Sequence, residues 1–332
     1  MRSKGPSRPR EPVKPVKPVK PVQPVKPVQP VQPVKPVKFV EFEVWGARGS
    51  RSLCPPLSSI ANYTSCYSIR VGADLFVLDG GRGLGVLSKS VSVAARFRGV
   101  ERVHLLLSHS HMDHWEGLKD AEWFWTNGNG LKLRVFGAEE AIETVRRGYG
   151  HPAYVPLEIL AAHTLRRLDF STLEVGETRR IHGWKVQTFA LNHYSGGGKS
   201  KNRLDTLGYR VRSPQGFVVA YLCDHEPSPE TAEDEERMLE GAHLALIDAH
   251  FADRIQHAYG HGSQEHAASL ARRHPKTLVF AAHHGPTNDD RDIRRAHRRH
   301  GKGLSNYAIA KEGTRLAWNP RTGRFSSGRA RT

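Results

Sequence analysis

The chain has 332 residues, with 50 lysines and arginines, 33 aspartates and glutamates, 19 histidines and three cysteines. Cys54, Cys66 and Cys223 are too few and too scattered to form the disulfide framework of a small secreted protein. No apolar run is long enough to span a bilayer, and no apolar segment follows the N-terminal positive charges as it would in a secretory signal. We therefore expect a reducing, cytoplasmic compartment.

The net charge of +17 is distributed unevenly along the chain. Residues 1–38 hold ten basic residues and one acidic residue, so this segment carries +9 and the remaining 294 residues carry +8. From Pro12 to Lys38 the sequence is nine Pro-Val-Lys/Gln triplets, a period that matches the three residues per turn of polyproline II. We interpret 1–38 as a disordered or polyproline II tail that acts as a spacer. The alternative is a cationic arm for nucleic acid or another anionic surface.

Residues 39–332 are interpreted as one large folded domain, because no change of composition divides them. Alternating or continuous apolar runs predict strands, and amphipathic patterns predict helices. The predicted strands are 39–46, 73–79, 102–108, 131–137, 183–190, 208–213, 216–224, 243–249 and 277–283, and the predicted helices are 115–125, 138–148, 156–165 and 263–273. Paired strands followed by alternating strands and helices predict a layered α/β or α+β body with sheets buried under helices.

A dense group of metal-ligating residue types follows the predicted strand 102–108. His109, His111, Asp113 and His114 lie within six residues, and the i and i+2 histidines of an extended segment point to the same side. A single histidine here would be read as an ordinary surface or core residue. Four such side chains together predict a metal site, and imidazole with carboxylate suits zinc, with manganese or iron as alternatives.

Three more candidates follow later predicted strands. His193 follows the strand 183–190, Asp224 ends 216–224, and the pair His283 and His284 ends 277–283. Taken singly, they are most simply a turn histidine, a helix N-cap and a loop histidine. Their shared position at the carboxyl ends of strands favours one common site instead.

These motifs resemble the successive ligand motifs of the metallo-β-lactamase superfamily, over residues 41–318. The motifs are HSHMDH (109–114), LNHYSGG (191–197), YLCDHE (221–226) and AAHHGP (281–286), with a first aspartate, Asp79, in FVLDGGRGL. The resemblance implies a four-layer αββα sandwich with two metal ions at one edge of the sheets. By the resemblance, the ligands are His109, His111 and His193 for one ion and Asp113, His114 and His283 for the other, with Asp224 bridging them. His284 is the alternative to His283.

Finer motifs are similar to those of the phosphodiesterase-like branch, which acts on phosphoribosyl cyclic phosphates and cyclic nucleotides. They are WGARGS (45–50), NYTSC (62–66), LIDAHF (246–251), GHGS (260–263), HHGPTNDD (283–290) and the closing strand KEGTRLAW (311–318). The chain departs from that pattern at Tyr63, where asparagine is usual, and at Gly285, where aspartate is usual. His193 and Asp224 are 31 residues apart, which leaves no room for the tRNA-gripping arm of ribonuclease Z. Asp224 and His283 are 59 residues apart, too close for the extra domain of the β-CASP branch.

Four residues are candidates for catalysis or substrate binding. Asp113 could orient a metal-bound water or accept its proton, and His261 could contact substrate or a leaving oxygen. The alternative for His261 is a turn histidine that caps the helix at 263. Arg48 and Ser50 could bind phosphate, since arginine meets phosphate bidentately, and the alternative for Arg48 is a structural salt bridge within its loop.

The prediction that follows is a binuclear metal-dependent hydrolase that cleaves a phosphodiester, of the cyclic phosphate or nucleotide type, by a metal-bridging hydroxide. The alternatives are a lactone or thioester hydrolase of the same fold and a nucleic-acid-binding protein with a basic tail. We expect two divalent ions, zinc first, and a small phosphodiester substrate. Nucleic acid could also bind through the tail and the basic stretch 294–303, which is more simply a solvated helix face. A homodimer is left open.

Overall fold

The computed structural model describes residues 38–126, 130–196, 202–255 and 259–327. The predicted tail lies outside this part of the chain apart from Lys38. Its conformation and the domain boundary at 38/39 therefore stay predictions.

The described residues form strands and helices that alternate through most of the chain. The strands are β1 (Val40–Gly46), β2 (Cys66–Val71), β3 (Asp74–Leu78), β4 (Arg102–Leu106), β5 (Lys132–Gly137), β6 (Arg167–Thr172), β7 (Thr178–Ile181), β8 (Trp184–Ala190), β9 (Tyr194–Ser195), β10 (Asn202–Arg203), β11 (Leu207–Arg212), β12 (Val218–Leu222), β13 (Leu244–Asp248), β14 (Leu278–Ala282), β15 (Tyr307–Ile309), β16 (Arg315–Asn319) and β17 (Arg324–Ser327). The α-helices are α1 (Gly83–Val93), α2 (Glu139–Gly148), α3 (Leu157–Thr164), α4 (Ala232–Leu239), α5 (Gln264–Arg273) and α6 (Asp290–His300).

Two large sheets form the centre of the fold. The first has the strand order β17-β16-β1-β2-β3-β4-β5-β6, and the second has the order β15-β14-β13-β12-β11-β8-β7. Strands β3 to β6 run parallel to one another in the first sheet, and β12 to β15 do so in the second. The carboxyl ends of parallel strands meet at one edge of a sheet, which is where open α/β sheets bind ligands.

The layers are held together by three apolar cores. Between the sheets, Phe42 stacks on Phe280 with ring centroids 5.9 Å apart, and Phe76 lies 4.3 Å from Trp184. Burying each such ring contributes about 1.5–3 kcal/mol. Helices α1, α2 and α3 contact the outer face of the first sheet, and α4, α5 and α6 contact the second. The predicted αββα sandwich is thereby confirmed.

The predicted helix over 115–125 is wrong. After the turn Met112–His114, the segment forms the short 3₁₀ turns Glu116–Asp120 and Glu122–Phe124, and further backbone hydrogen bonds join it to the loop around Gly80. The Gly80 amide donates to the His114 carbonyl at 2.6 Å, and the Gly117 amide donates to the Gly80 carbonyl at 2.9 Å. A Cβ on Gly117 would lie 2.0 Å from the carbonyl oxygen of Gly81, so the close approach requires glycine.

The nine predicted strands are all present, as are the predicted helices 138–148, 156–165 and 263–273. The pattern missed α1, whose sequence GLGVLSKSVSV is rich in poor helix formers. Among the described residues, no helix combines the length and the apolar character needed to cross a membrane.

Candidate metal centre

The predicted ligand residues all lie just beyond the carboxyl ends of strands. His109 and His111 follow β4, His193 follows β8, Asp224 follows β12 and His283 follows β14. Strands β8 and β12 each pair antiparallel with β11, so they point in the same direction as each other. The topology therefore brings residues from four separate stretches of sequence to one edge of the sandwich.

Asp224 lies at the middle of this group, and its two oxygens face different histidines. Its Oδ2 lies 3.8 Å from His109 Nε2 and 3.6 Å from His193 Nε2. Its Oδ1 lies 3.3 Å from His114 Nε2 and 3.1 Å from His283 Nδ1. All five side chains are at least 98% buried. One carboxylate thus stands between two pairs of imidazoles.

His111 and Asp113 complete the two groups. His111 Nδ1 lies 3.0 Å from His193 Nε2, and Asp113 Oδ2 lies 3.4 Å from His114 Nε2. Within each group the candidate ligand atoms lie within 4.8 Å of one another. The groups are His109, His111, His193 and Asp224, and Asp113, His114 and His283.

Unsatisfied polar atoms show that these groups fit a cation. His109 Nε2, His114 Nε2, His283 Nε2 and Asp224 Oδ1 are buried and make no hydrogen bond within the part of the chain that the structure describes. Buried polar atoms without partners are rare because each costs about 1–3 kcal/mol. Imidazole nitrogens and carboxylate oxygens together are the ligands that zinc and related divalent metals prefer. The clusters can therefore bind metal.

A network behind the histidines fixes which nitrogen faces inward. Asp79 Oδ2 lies 2.6 Å from His114 Nδ1 and also accepts the Tyr221 hydroxyl at 2.5 Å. His193 Nδ1 lies 2.7 Å from the Gly260 carbonyl oxygen. Such partners hold the tautomer and the ring orientation of a metal-ligating histidine, leaving Nε2 for the ion.

The electrostatics of the cluster favour a positive charge at its centre. Burial and neighbouring imidazoles lower the pKa of His109 well below its usual value, and burial lowers the pKa of His193 to about 4, so both rings are neutral at pH 7. Burial opposes the charged form of His114, but the carboxylates of Asp224 and Asp113 raise its pKa well above the usual value. A divalent ion would replace that proton as the counter-charge.

The family comparison agrees with this geometry. Residues 87–284 match the model of the beta-lactamase superfamily domain. The chain belongs to this superfamily. No curated protein matches the sequence significantly.

Solved structures of metallo-β-lactamase relatives share the fold over nearly their whole length. YhfI from Bacillus subtilis is 17% identical with a TM-score of 0.60, and the match covers 84% of this chain and 99% of that one. A diphosphatase from the PhnP family is 15% identical with a TM-score of 0.60, covering 85% and 98%. The short form of human tRNase Z is 14% identical with a TM-score of 0.55, covering 83% and 98%. At these identities the likeness shows the fold.

The metal centre opens into a cavity of about 530 Å³. The cavity is lined by His111, Asp113, His193, Asp224 and His261. Its remaining lining residues are Ser50, Met112, Tyr194, His250, Phe251, Tyr259, Pro286 and Thr287. A substrate in this cavity would contact both candidate ligand groups.

His261 lies beside the metal centre and does not cap α5. Its Nδ1 is 2.9 Å from Asp248 Oδ2 and 3.9 Å from Asp224 Oδ2. Ser263 is the residue whose side chain caps α5, by accepting the His266 amide. Burial would lower the pKa of His261, but the carboxylates of Asp248 and Asp224 raise it.

Two candidates from the loop 45–50 have different surroundings. Ser50 lines the cavity, and its backbone amide donates to Asp113 Oδ2 at 2.8 Å. Arg48 is 1% exposed and donates to the carbonyl oxygens of Ala61, Gly285 and Asn288, at 2.9–3.1 Å. These contacts engage Nε and Nη1 and favour the structural alternative, with carbonyl oxygens as partners in place of a carboxylate. Phosphate binding by Arg48 stays a prediction.

The adjacent histidines His283 and His284 face opposite ways. His283 lies against Asp224, whereas His284 Nε2 lies 3.2 Å from the Ala310 carbonyl oxygen. His283 has a φ of +53°, a conformation that turns its side chain away from the direction of the strand. Among the two, His283 is the one at the metal centre.

His250 also faces the cavity and was not singled out from the sequence, although it lies in the LIDAHF motif. Its ring stacks on His261 with centroids 4.0 Å apart and an interplanar angle of 11°. Gly285 makes room for it, since a Cβ there would lie 2.5 Å from the His250 carbonyl oxygen and 3.0 Å from its ring. The nitrogens of His250, His261 and His283 lie within 4.8 Å of one another. Because nearly parallel rings do not direct their lone pairs to one point, we assign no ion to this trio.

The basic stretch 294–303 begins inside α6. Arg295 pairs with Asp292 at 2.6 Å, Arg299 pairs with Asp253 at 3.2 Å, and His300 lies 2.6 Å from the same Asp253. These exposed pairs are typical of a solvated helix face.

Proposed function

We propose that this chain is a binuclear metal-dependent hydrolase that cleaves a phosphodiester of the cyclic phosphate or nucleotide type. The observation that carries the proposal is the arrangement at Asp224, where each carboxylate oxygen faces its own pair of buried imidazoles. A carboxylate so placed can bridge two cations, as in two-metal hydrolytic sites. The ligand sets are His109, His111 and His193 for one ion and Asp113, His114 and His283 for the other, with Asp224 bridging.

Two divalent ions, zinc with manganese or iron as alternatives, would supply Lewis acidity to the phosphoryl oxygens and lower the pKa of a water. The surrounding side chains orient the water and transfer protons. Asp113 is held by the Ser50 amide at 2.8 Å, which orients its carboxylate to accept or direct the proton of the attacking water. Ser50 thereby serves the site through its backbone.

His261 supplies the complementary proton transfer. The carboxylate of Asp248, 2.9 Å from Nδ1, orients the ring and favours its protonated form. Its Nε2 can then donate a proton to the leaving oxygen of a substrate in the cavity that His261 lines. Asp113 and His261 are therefore assigned the base and acid roles.

The case for phosphorus as the reaction centre rests on charge and on relatives. Residues 39–332 carry a net charge of +8, which favours an anionic substrate over a neutral lactone or thioester. Fold relatives with TM-scores above 0.5 include a diphosphatase of the PhnP family, yeast PDE1 and human tRNase Z. Cyclic phosphates and nucleotides are small enough for a cavity of about 530 Å³.

The test is a substrate panel of bis-p-nitrophenyl phosphate, cyclic nucleotides and lactones, run with purified protein of known metal content. We expect turnover of phosphodiesters and a loss of about 10²–10⁴-fold in Asp113→Ala, the range for a general acid or base. His163→Ala is the matched control, because His163 is exposed on α3 and is not among the cavity residues. Hydrolysis of lactones alone would reject the phosphodiester assignment and leave the metal-dependent hydrolase intact.

A further inference from the structure

A row of three cations crosses three neighbouring strands at the edge opposite the metal centre. Arg102 begins β4, Lys132 begins β5 and Arg167 begins β6. Arg102 pairs in register with Lys132, and Lys132 pairs in register with Arg167. In-register residues of a sheet project from the same face about 4.8 Å apart. Like charges placed in this way destabilise a sheet unless something offsets them.

A second row of polar residues lies beside these cations on the same face of the sheet. His104, Arg134 and Asp169 follow two residues later on the same three strands and are again in register. Together with His182 and Leu133 from the surrounding chain, the two rows line a cavity of about 310 Å³. The ring of His182, in the turn between β7 and β8, lies 5.5 Å from the ring of His104.

Carboxylates offset only part of this charge. Asp74 accepts from Arg102 at 2.6 Å, Asp169 lies 2.7 Å from Arg167 and 3.7 Å from Arg134, and the exposed Glu101 also contacts Arg102. Lys132 forms no ion pair with any other residue that the structure describes. One of the four cations of the cavity is therefore left unpaired, in the middle of the row.

A second observation points to a ligand. The His104 side chain is 4% exposed, and its Nε2 lies 3.2 Å from Asp74 Oδ1. Its Nδ1 is buried and makes no hydrogen bond to any residue that the structure describes. Because His104 also lines the cavity, an unsatisfied polar side chain lies in the cavity wall.

We propose that this cavity is a second binding site, separate from the metal centre, for a small phosphate-bearing molecule. Arg134 and Lys132 supply the donors that phosphate oxygens accept, the guanidinium as a fork and the ammonium as a point charge. A volume of about 310 Å³ is at the lower limit for ligand pockets, which fits a mononucleotide or smaller molecule and not a polymer. The site lies where β4 begins and the metal centre lies where β4 ends, so the two are one strand length apart.

Calorimetric titration of the full-length protein with inorganic phosphate tests the proposal. Phosphate can also bind at the metal centre, so Asp113→Ala is compared with the double variant that adds Lys132→Gln to it. We expect Asp113→Ala to retain a phosphate site, and we expect the added Lys132→Gln to weaken that site about tenfold, a typical loss for one charge-assisted contact. Lys132→Arg should retain the affinity. Arg298→Gln is the matched control, since it removes one exposed positive charge from α6.

Equal phosphate affinity in Asp113→Ala with and without Lys132→Gln would overturn the proposal, as would the absence of any phosphate site in Asp113→Ala. Binding of a single-stranded oligonucleotide that depends on Lys132, without binding of phosphate, would replace the small ligand by nucleic acid and also overturn it. Lys132 is exposed, so circular dichroism should show that Lys132→Gln folds normally. Because this site does not need the metal ions, the failure of the proposed hydrolase activity would leave it untouched.

Discussion

Asp224 and Glu235 are buried carboxylates that both contact histidines. Glu235 has one histidine partner for each of its two oxygens, whereas Asp224 has more histidine partners than oxygens. Glu235 meets His225 Nε2 at 3.0 Å with Oε1 and His266 Nε2 at 3.1 Å with Oε2. His225 also accepts the Asn192 amide at its Nδ1, so both of its nitrogens are used. Each oxygen of Glu235 thus serves one imidazole.

Around Asp224 two oxygens are shared by four imidazoles at 3.1–3.8 Å. Among the described residues, His109 Nε2, His114 Nε2 and His283 Nε2 are buried without hydrogen-bond partners. In the Glu235 group one ring nitrogen, His266 Nε2, also makes no hydrogen bond to a described residue, but it has a carboxylate oxygen of its own at 3.1 Å. The Asp224 group has more imidazoles than carboxylate oxygens and therefore needs a cation. The Glu235 group has equal numbers of the two and does not. Composition alone does not separate the two, since both are made of histidine and carboxylate.

The largest effect is expected for Asp224→Asn. The amide cannot bridge two cations as a carboxylate does, so we expect the protein to lose at least one ion and activity to fall at least about 10³-fold. Glu235→Gln is the matched control and should keep its metal. Metal analysis by mass spectrometry, with turnover of the best phosphodiester, checks both. Full metal content in Asp224→Asn would contradict the bridging role.

His261→Ala should reduce turnover by about 10²–10⁴-fold without releasing metal. The physical reason is loss of the proton donor to the leaving oxygen, while the ligand sets remain complete. A substrate with a good leaving group, such as p-nitrophenolate, should be affected less than an alkyl ester. An equal loss on both substrates would argue that His261 has a structural role.

Asp79→Asn should weaken metal binding about 10–100-fold, the usual effect of altering a partner behind a ligating histidine. Asp79 lies 2.6 Å from His114 Nδ1. The neutral side-chain amide of the variant would lack the negative charge that attracts and orients that ring. A competition titration with a chelator measures the affinity. Thr188→Ser, which alters a buried side chain outside the cavity, serves as the control for nonspecific loss of packing. Unchanged affinity in Asp79→Asn would show that the network does not act on the ion.

The smallest effect, and one on stability alone, is expected for Glu235→Gln. Burial would raise the pKa of Glu235, but hydrogen bonds from His225 and His266 lower it from 4.5 to about 2. A carboxyl with a depressed folded pKa stabilises the protein above the unfolded value, and the contribution is lost as pH falls from about 4.5 towards 2. The wild type should therefore exceed the variant by about 1–3 kcal/mol at pH 6, and the difference should shrink below about pH 4.5 and largely vanish near pH 2. Urea unfolding across this range measures the difference, and a constant gap would contradict the assignment.

Much of the fold could be predicted from local pattern. The buried strands such as β4 and β12 are apolar runs that end at polar residues, and the helix α2 has one apolar face. The segment 115–125 could not be predicted, because its turns depend on backbone bonds to Gly80, which lies more than 30 residues earlier. Helix α1 is determined by packing against the first sheet and not by its own composition.

The candidate site likewise has parts that the local sequence predicts and parts that it does not. The ligand residues were predictable because each follows a strand, and the topology brings strand ends together. The surroundings of Arg48 were not, since two of its carbonyl partners, Gly285 and Asn288, lie more than 230 residues away in sequence. His250 was missed because nothing local marks a histidine that stacks on another from a separate loop.

We expect the histidine nitrogens around Asp224 to hold two cations, and the metal content of the purified chain tests this most directly. Elemental analysis after gel filtration should give close to two divalent ions per chain in the wild type and in Glu235→Gln, and fewer in Asp224→Asn. Folded wild-type protein that retains no ion after incubation with zinc, manganese and iron would contradict the account.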